Sequence, residues 1–250
     1  MLFFHLFLLS LVHNIKKHKT ISIVVLTGAG ISEESGIKTF RATDGLWEEH
    51  SIDQVATPEG FYSNPKLVHN FYNARRQKLV SSDVRPNAAH RALADFEKES
   101  EASVLLVTQN IDNLHERANS KNVRHMHGEL LKMRCIKSDQ IFTIEDDLDD
   151  KTRCACCNKV GNLRPHVVWF GEIPFFMDEI DLALKNCDYF IAIGTSGNVY
   201  PAAGFYQTAK NAGAHTVELN LKATRSRFDE KIEGKASEIV PEYLKRLLNN

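Results

Sequence analysis

Net charge is almost absent from the sequence. Its 250 residues carry 31 Lys+Arg against 32 Asp+Glu, a balance of −1. Bulk electrostatic capture of nucleic acid or of an anionic membrane is therefore not expected, although a local basic patch remains compatible with that balance. Cysteine is also scarce. There are five, four of them between Cys135 and Cys157, with Cys187 alone. An odd, clustered set argues against a secreted disulfide framework and for a metal site in a reducing, cytoplasmic setting. Long apolar runs are missing too. The only candidate, "MLFFHLFLLSLV" at 1–12, is too short to span a bilayer as a straight helix. Its positive charges, "HNIKKHK", come after the run, and no small-residue cleavage site follows, which is the wrong order for a secretory signal. An N-terminal helix or frayed extension over 1–20 is expected, with membrane association or targeting as the alternative. Neither an internal repeat nor a low-complexity segment occurs.

What is present is ordinary globular composition, 43% hydrophobic and 25% charged, in a length that suits one large domain with a small satellite. Short β-branched runs at 21–28, 103–110, 189–196 and 215–221 read as buried parallel strands. Helical patterns lie between them at 87–100, 177–187 and 202–213. Alternation of this kind implies an α/β fold, an open Rossmann-like parallel sheet with helices on both faces. Two stretches break the rhythm, 38–86 (with a helical piece at 65–80) and 131–165. They are expected to build a smaller zinc-binding and helical lobe. The larger lobe then comprises about 21–37, 87–130 and 166–250 of a domain over 21–250. The acidic run "EDDLDD" at 145–150 is expected to be a solvated loop.

In such a sheet, ligands bind at the carboxyl ends of the strands. Gly28, Gln109-Asn110, Gly194-Thr195-Ser196 and Asn220 fall there. The first strand runs into "TGAGISEESG", where Gly28 and Gly30 permit a tight turn and close approach to a pyrophosphate. The third glycine of the usual dinucleotide fingerprint is missing, since Glu33 stands in its place. Ser32 and Ser35 offer hydroxyls and a helix cap. A plain structural turn would explain the glycines equally well. Downstream, "FRATDGLW" offers Arg41 for phosphate and Phe40 to cover a ring, or simply a surface loop anchored by Trp47. Gln109, Asn110 and Asp112 leave a strand end with groups suited to a ribose or carboxamide; helix capping explains Asp112 but not all three. In "VRHMHGEL", His125 and His127 share a face if the chain is extended, and a histidine near neutral pH suits general-base work. A structural histidine is the competing reading.

Cys154-x-x-Cys157 is half of a zinc knuckle, with Cys135 upstream as a third ligand. A four-cysteine ribbon would place the fourth near 138, which is Ser138, beside Asp139. Cys156 or a non-cysteine group could fill the gap. Cys187 ends a helix pattern and reads as a core thiol.

Taken together, "GAGISEESGI…FR", "TQNIDNLH", "HMHGEL", "LRPHVVWFGE", "GTS" and "ELNL" resemble the sirtuins, NAD-dependent protein lysine deacylases, over about 24–245. Many members have Pro-Asp before Phe-Arg, where this chain has Lys38-Thr39. That departure, with "VATPEGF" and "FYNARR", resembles the bacterial desuccinylase-type class. The resemblance implies NAD contacts at Gly28, Ala29, Gly30, Ile31, Ser32, Ser35, Gly36, Phe40, Arg41 and Trp47. It implies further contacts at Gln109, Asn110, Ile111, Asp112, Gly194, Thr195, Ser196, Asn220, Leu221, Lys222 and Ala236. The acyl-lysine carbonyl oxygen would attack C1′ of the nicotinamide ribose, and His127 would then act as general base on the ribose hydroxyl. Free lysine and acylated ADP-ribose would result. Tyr72-Asn-Ala-Arg75 matches the pair that recognises acidic acyl groups. On a helix, i and i+3 share a face, and a guanidinium can bind a carboxylate bidentately. Ala56 would leave room for a longer acyl chain. Val168, Phe170 and Gly171 would pair with the main chain of an extended substrate peptide. The implied zinc is structural, and the implied partners are acylated lysines of proteins. An ADP-ribosyltransferase, or a non-catalytic NAD-sensing or zinc-knuckle interaction protein, are the alternatives.

Overall fold

Four apolar runs assemble first into one sheet. The structure, a computed structural model, describes residues 20–38, 46–47 and 50–249. The N-terminal run, Phe40, Arg41 and the Trp47 side chain lie outside the described residues. In chain order the elements begin with β1 (Ser22–Thr27), β2 (Leu46–Trp47) and β3 (His50–Ser51). Helices α1 (Ile52–Val55), α2 (Pro58–Ser63), α3 (Pro65–Val80) and α4 (Ala88–Glu99) follow. Then come β4 (Ser103–Thr108), α5 (Leu114–Arg117), β5 (Val123–His125), β6 (Gly128–Cys135), β7 (Ile141–Thr143) and β8 (Leu163–Val167). The chain closes with α6 (Met177–Asn186), β9 (Tyr189–Ile193), α7 (Phe205–Asn211), β10 (His215–Asn220), β11 (Glu230–Glu233) and α8 (Ala236–Leu248).

The main sheet has the order β11-β10-β9-β1-β4-β5, and its pairs are all parallel. Strand β1 shows why it sits in the middle. Ile23 and Val25 point into the core shared with Leu93 and Phe96 of α4 and Val240 and Leu244 of α8. Val24 and Leu26 point the other way, toward Ile180 and Leu184 of α6 and Phe205 of α7. A strand buried on both faces must be apolar at every position, and each such side chain stabilises the fold by about 1.5–3 kcal/mol. The register places Thr27 beside both Thr108 and Ile193, and Thr108 beside His125. Strand ends therefore line up along one rim.

A second, antiparallel sheet, β7-β6-β8, holds Cys135 at the end of β6, and its β7–β8 connection holds the other clustered cysteines. Helices α1–α3 pack on a separate core with Leu130, Val167 and Trp169. Helix α3 covers 65–80 as its pattern predicts. Asn64 starts it by accepting from Leu67 N at 3.0 Å, with Pro65 in the first turn. Helix α4 opens on a reciprocal cap between Asn87 and His90. The pattern at 202–213 yields a shorter helix, Phe205–Asn211, after a tight turn.

Three features depart from the sequence reading. The edge strands β5 and β11 are too short to show periodicity. Helix α8 was not expected; it contains Pro241, yet its apolar face, Ile239, Val240, Tyr243 and Leu244, is buried. The acidic run is not simply solvated. Leu148 is buried, and the Asn73 side chain bonds both its N–H and its carbonyl, at 2.9 Å each. Arg76, itself buried, donates to the Asp146 carbonyl at 3.1 Å. The aspartates face outward while one leucine anchors the loop.

Candidate active site

The glycine turn meets the end of β9 at close range. Gly28 N donates to Ile193 O at 3.0 Å, and Gly30 N donates to Gly194 O at 2.9 Å. A Cβ on either glycine would come within 2.8 Å of Gly194 O, so both are required by backbone packing. The chain then makes two 3-10 turns, Ala29–Ile31 and Glu33–Ser35, and leaves through Gly36 at φ 87°. No long helix starts here, so no glycine is needed at position 33. Neither serine caps a helix, contrary to the sequence reading. Ser32 Oγ donates to Asp112 Oδ2 at 3.0 Å and accepts from Asn110 Nδ2 at 3.1 Å. Ser35 Oγ accepts from Asn87 at 3.0 Å.

The other strand ends join this network. Asn110 Nδ2 also reaches Gly28 O at 3.2 Å, and Asp112 Oδ1 accepts from Leu114 N at 3.1 Å. Gln109 Nε2 donates to Thr195 Oγ1 at 3.1 Å, and Asn220 Nδ2 donates to Thr195 O at 2.8 Å. Ser32, Asn110 and Asp112 are buried. Burial pushes the Asp112 carboxyl up, against the hydrogen bonds from Leu114 and Ser32. Ser196, Leu221 and Lys222 are exposed at the same rim, and Ala236 opens α8. Residues from four separate stretches thus converge on one crevice.

His127 sits in the turn between β5 and β6. Its Nδ1 lies 3.0 Å from Gln109 O, which can only accept, so Nδ1 carries the proton and Nε2 the lone pair. Nε2 meets no partner among the described residues. Burial lowers the ring below the ordinary histidine value of 6.5, and the bond to Gln109 only partly offsets this. Gly128 follows at φ 83°, where a Cβ would lie 2.1 Å from His166 O. The carbonyl of His127 accepts from Val168 N at 2.9 Å, and Phe170 N donates to Ala56 O at 2.9 Å. Glu172 secures this segment: it accepts from Trp169 N at 2.8 Å and from Arg164 at 2.6 and 2.9 Å. Phe170 remains exposed and Gly171 takes φ 89°.

Tyr72 and Arg75 occupy one turn of α3. Tyr72 is fully buried, and its hydroxyl accepts from Trp169 Nε1 at 2.9 Å. Burial drives its pKa well upward, so the phenol stays protonated. Arg75 stacks on Phe71 with 3.1 Å to the ring centroid and donates to Phe71 O at 2.8 Å. Ala56 is buried in the same apolar cluster as Tyr72 and Trp169.

The cysteine cluster joins Cys135, the last residue of β6, to the 154–157 turn in the β7–β8 connection. The sulfurs of Cys135, Cys154, Cys156 and Cys157 all lie within 4.8 Å of one another. Cys135 and Cys157 are 3.9 Å apart, close to the roughly 3.8 Å edge of a tetrahedron with about 2.3 Å zinc–sulfur bonds. Cys156, not part of the three-ligand set read from spacing, completes four sulfurs and lies 3.1 Å from Ser138 Oγ. The donor set fits one Zn2+. Cys187 is buried at the end of α6 and stands apart from these four.

Sequence reasoning missed Trp169, Glu172, Arg164 and Glu116, whose partners are 97, 8 or 9 positions away or lie on another element.

Residues 28–201 match the model of the Sir2 family. The chain is 62% identical over 232 residues to an NAD-dependent protein deacylase of Pasteurella multocida, covering 92% of this chain and 99% of the relative. It is 60% identical over 228 residues to an NAD-dependent protein deacylase of Salmonella typhimurium, covering 90% and 84%. Among solved structures, a Sir2 homolog–NAD complex superposes with a TM-score of 0.82 at 36% identity, covering 92% of this chain and 90% of that one. A Sir2–p53 peptide–NAD+ complex gives 0.75 at 30% identity, covering 92% and 93%.

Proposed function

The chain belongs to the Sir2 family, and from that premise we propose that it is an NAD-dependent protein-lysine deacylase acting on succinyl-, malonyl- and acetyl-lysine. The observation that carries the reading is His127: an imidazole with Nδ1–H fixed on Gln109 and a lone pair free at Nε2, at the rim where the strand ends converge. NAD supplies the ribose that accepts the acyl group, with nicotinamide as leaving group.

The chain's own residues bind and orient. Gly28–Ser35 with Gly36, Thr195 and Ser196 would hold the phosphates and riboses. Asn220, Leu221, Lys222 and Ala236 would border the adenosine end. Gln109, Asn110, Ile111 and Asp112 would face the nicotinamide, with Phe40, Arg41 and Trp47 closing over that end. Asp112, raised by burial and bonded to Ser32, is suited to an amide N–H of the carboxamide. His127 Nε2 would take the proton of a ribose hydroxyl. Val168, Phe170 and Gly171 would pair with the backbone of the substrate. Tyr72 and Arg75, with small Ala56, would receive the acyl chain. Cys135, Cys154 and Cys157, with Cys156 as fourth ligand, would hold a structural Zn2+ that ties β6 to the 154–157 turn. We place the activity in the cytoplasm, where free thiols persist; no helix among the described residues is long and apolar enough to cross a membrane.

Nicotinamide release should depend on an acyl-lysine peptide. Purified protein that releases none with acetyl-, succinyl- or malonyl-lysine peptides would sink the enzyme reading.

The pH profile follows from His127. A general base works unprotonated, and burial lowers this imidazole below 6.5. The acid limb of kcat/KM is therefore expected below pH 6.5, with a plateau through neutrality. A limb above 7 would contradict a buried neutral base.

For the metal, the wild-type chain is expected to retain one zinc through dialysis. Cys156→Ala should lose it to chelators more readily and melt lower, because structural zinc stabilises the folded state alone. Metal analysis and thermal melts decide this; unchanged retention in Cys156→Ala would remove Cys156 from the ligand set.

A further inference from the structure

Two histidines hang from neighbouring carbonyls of one strand end. His127 Nδ1 is 3.0 Å from Gln109 O, and His125 Nδ1 is 3.0 Å from Asn110 O. They differ at the other nitrogen. His127 Nε2 is open, whereas His125 Nε2 lies 2.8 Å from Glu116 Oε1. His125 is buried, and its partner Glu116 lies on α5. Its two partners, a peptide carbonyl and a carboxylate, both only accept. A neutral imidazole has one N–H and cannot serve both, so the geometry calls for two.

We propose that Glu116 holds His125 as an imidazolium, and that His125 is a positioning residue. By donating to the Asn110 carbonyl it fixes residues 109–112, to which both His127 and the Ser32–Asp112 pair are bonded. The charges around it agree. Burial opposes protonation of His125, but the hydrogen bond and charge of Glu116 outweigh it, with help from Asn110 and Glu129, and hold the ring above the ordinary value. Burial would raise Glu116, yet the same imidazole keeps it below the usual carboxylate range. Asp112 also feels His125 as a favourable charge, while burial, and after it the charges of His90 and His125, disfavours protonation of His115. The pair of histidines therefore divides the labour: His125 charged and fixed, His127 neutral and basic.

The fixed segment links the two sides of the crevice. Gln109 carries the carbonyl that sets the tautomer of His127, and its amide reaches Thr195. Asn110 reaches Gly28 O and Ser32. A shift of this turn would misplace the base and the nicotinamide-facing groups together. The proposal rests on the reading of His127 as the base, but its charge component does not depend on turnover.

Long-range proton–nitrogen NMR of histidine-labelled protein at about pH 7.5, near the ordinary titration range of the ring, reads the protonation states directly. Expected are two protonated nitrogens on His125 and one on His127. In Glu116→Gln, the amide N–H can donate to Nε2, so His125 should become neutral while still donating to Asn110. Kinetics supply the second arm. His125→Phe should lower kcat roughly 10- to 100-fold, the scale of a misplaced catalytic group, with peptide KM unchanged. His125→Asn, whose amide N–H can stand in for Nδ1–H, should recover most of that loss. A neutral His125 in the wild-type protein would overturn the charge assignment. A folded His125→Phe with wild-type kcat, or a His125→Asn no better than it, would overturn the positioning role. Should His125→Phe fail to fold, the wild-type and Glu116→Gln spectra still decide, since neither removes the ring. The spectra read the same in a protein that turns over no acyl peptide, so the two readings fail separately.

Discussion

His127→Ala is expected to lower kcat for net deacylation by about 10²- to 10⁴-fold, the usual contribution of a positioned base. The size of the effect follows from the geometry. One nitrogen is committed to Gln109 O, so the base function rests on Nε2 alone. Loss of the ring leaves the segment 168–172 in place, because its bonds to this residue use the backbone: Val168 N meets the carbonyl of His127. Peptide KM should therefore change little. In the proposed reaction nicotinamide would depart before the step that needs the base, so exchange of labelled nicotinamide into NAD should outlast deacylation in this variant. Stopped-time assays of both reactions on the same preparation check this. Equal loss of exchange and deacylation would assign His127 to binding instead.

Arg75→Met should cut desuccinylation relative to deacetylation by roughly 10- to 100-fold, since a charge-assisted hydrogen bond contributes about 1.5–3 kcal/mol and 1.4 kcal/mol is tenfold. Methionine keeps an apolar stem against Phe71, on which Arg75 now stacks. The change thus removes charge with little loss of packing. Tyr72→Phe is a poorer probe. It would strip the acceptor from the buried Trp169 N–H, 2.9 Å away, and so disturb the segment proposed to pair with every peptide. Measured kcat/KM for matched succinyl- and acetyl-lysine peptides decides the matter. A parallel fall for both acyl groups would deny Arg75 a selective carboxylate role.

The parallel sheet was legible because its strands bury both faces. Runs such as "SIVVLT" leave no other reading once helical patterns alternate with them. Helix α3 was legible for a different reason: Asn64 and Pro65 mark its start as clearly as its apolar spacing marks its body. Helix α8 was obscured by Pro241, which lies inside the helix, lacks the N–H that would bond the Ser237 carbonyl, and reads as a breaker in sequence; the buried apolar face outweighs it. At the site, that the strand ends lie together was legible because topology forces them together. Partners across elements were not: nothing in "DNLHER" says that Glu116 will meet His125, and nothing in "VVWFGE" says that its tryptophan will meet Tyr72. The glycine turn lies between these cases. Its glycines are visible, but only the approach of Gly194 explains why they cannot be larger. The cysteines illustrate a third limit. Spacing pointed to three of the sulfurs, but that a fourth, Cys156, lies with them depends on a turn that folds it back beside Ser138.

The most direct test of the central claim follows the fate of the acyl group and of ADP-ribose. Purified protein is incubated with a succinyl-lysine peptide and NAD labelled in its ADP-ribose, and all products are resolved by mass spectrometry. The account predicts one unmodified lysine and one succinylated ADP-ribose for each nicotinamide released. Label retained covalently on protein, with the succinyl-lysine intact, would contradict it and identify a protein ADP-ribosyltransferase instead.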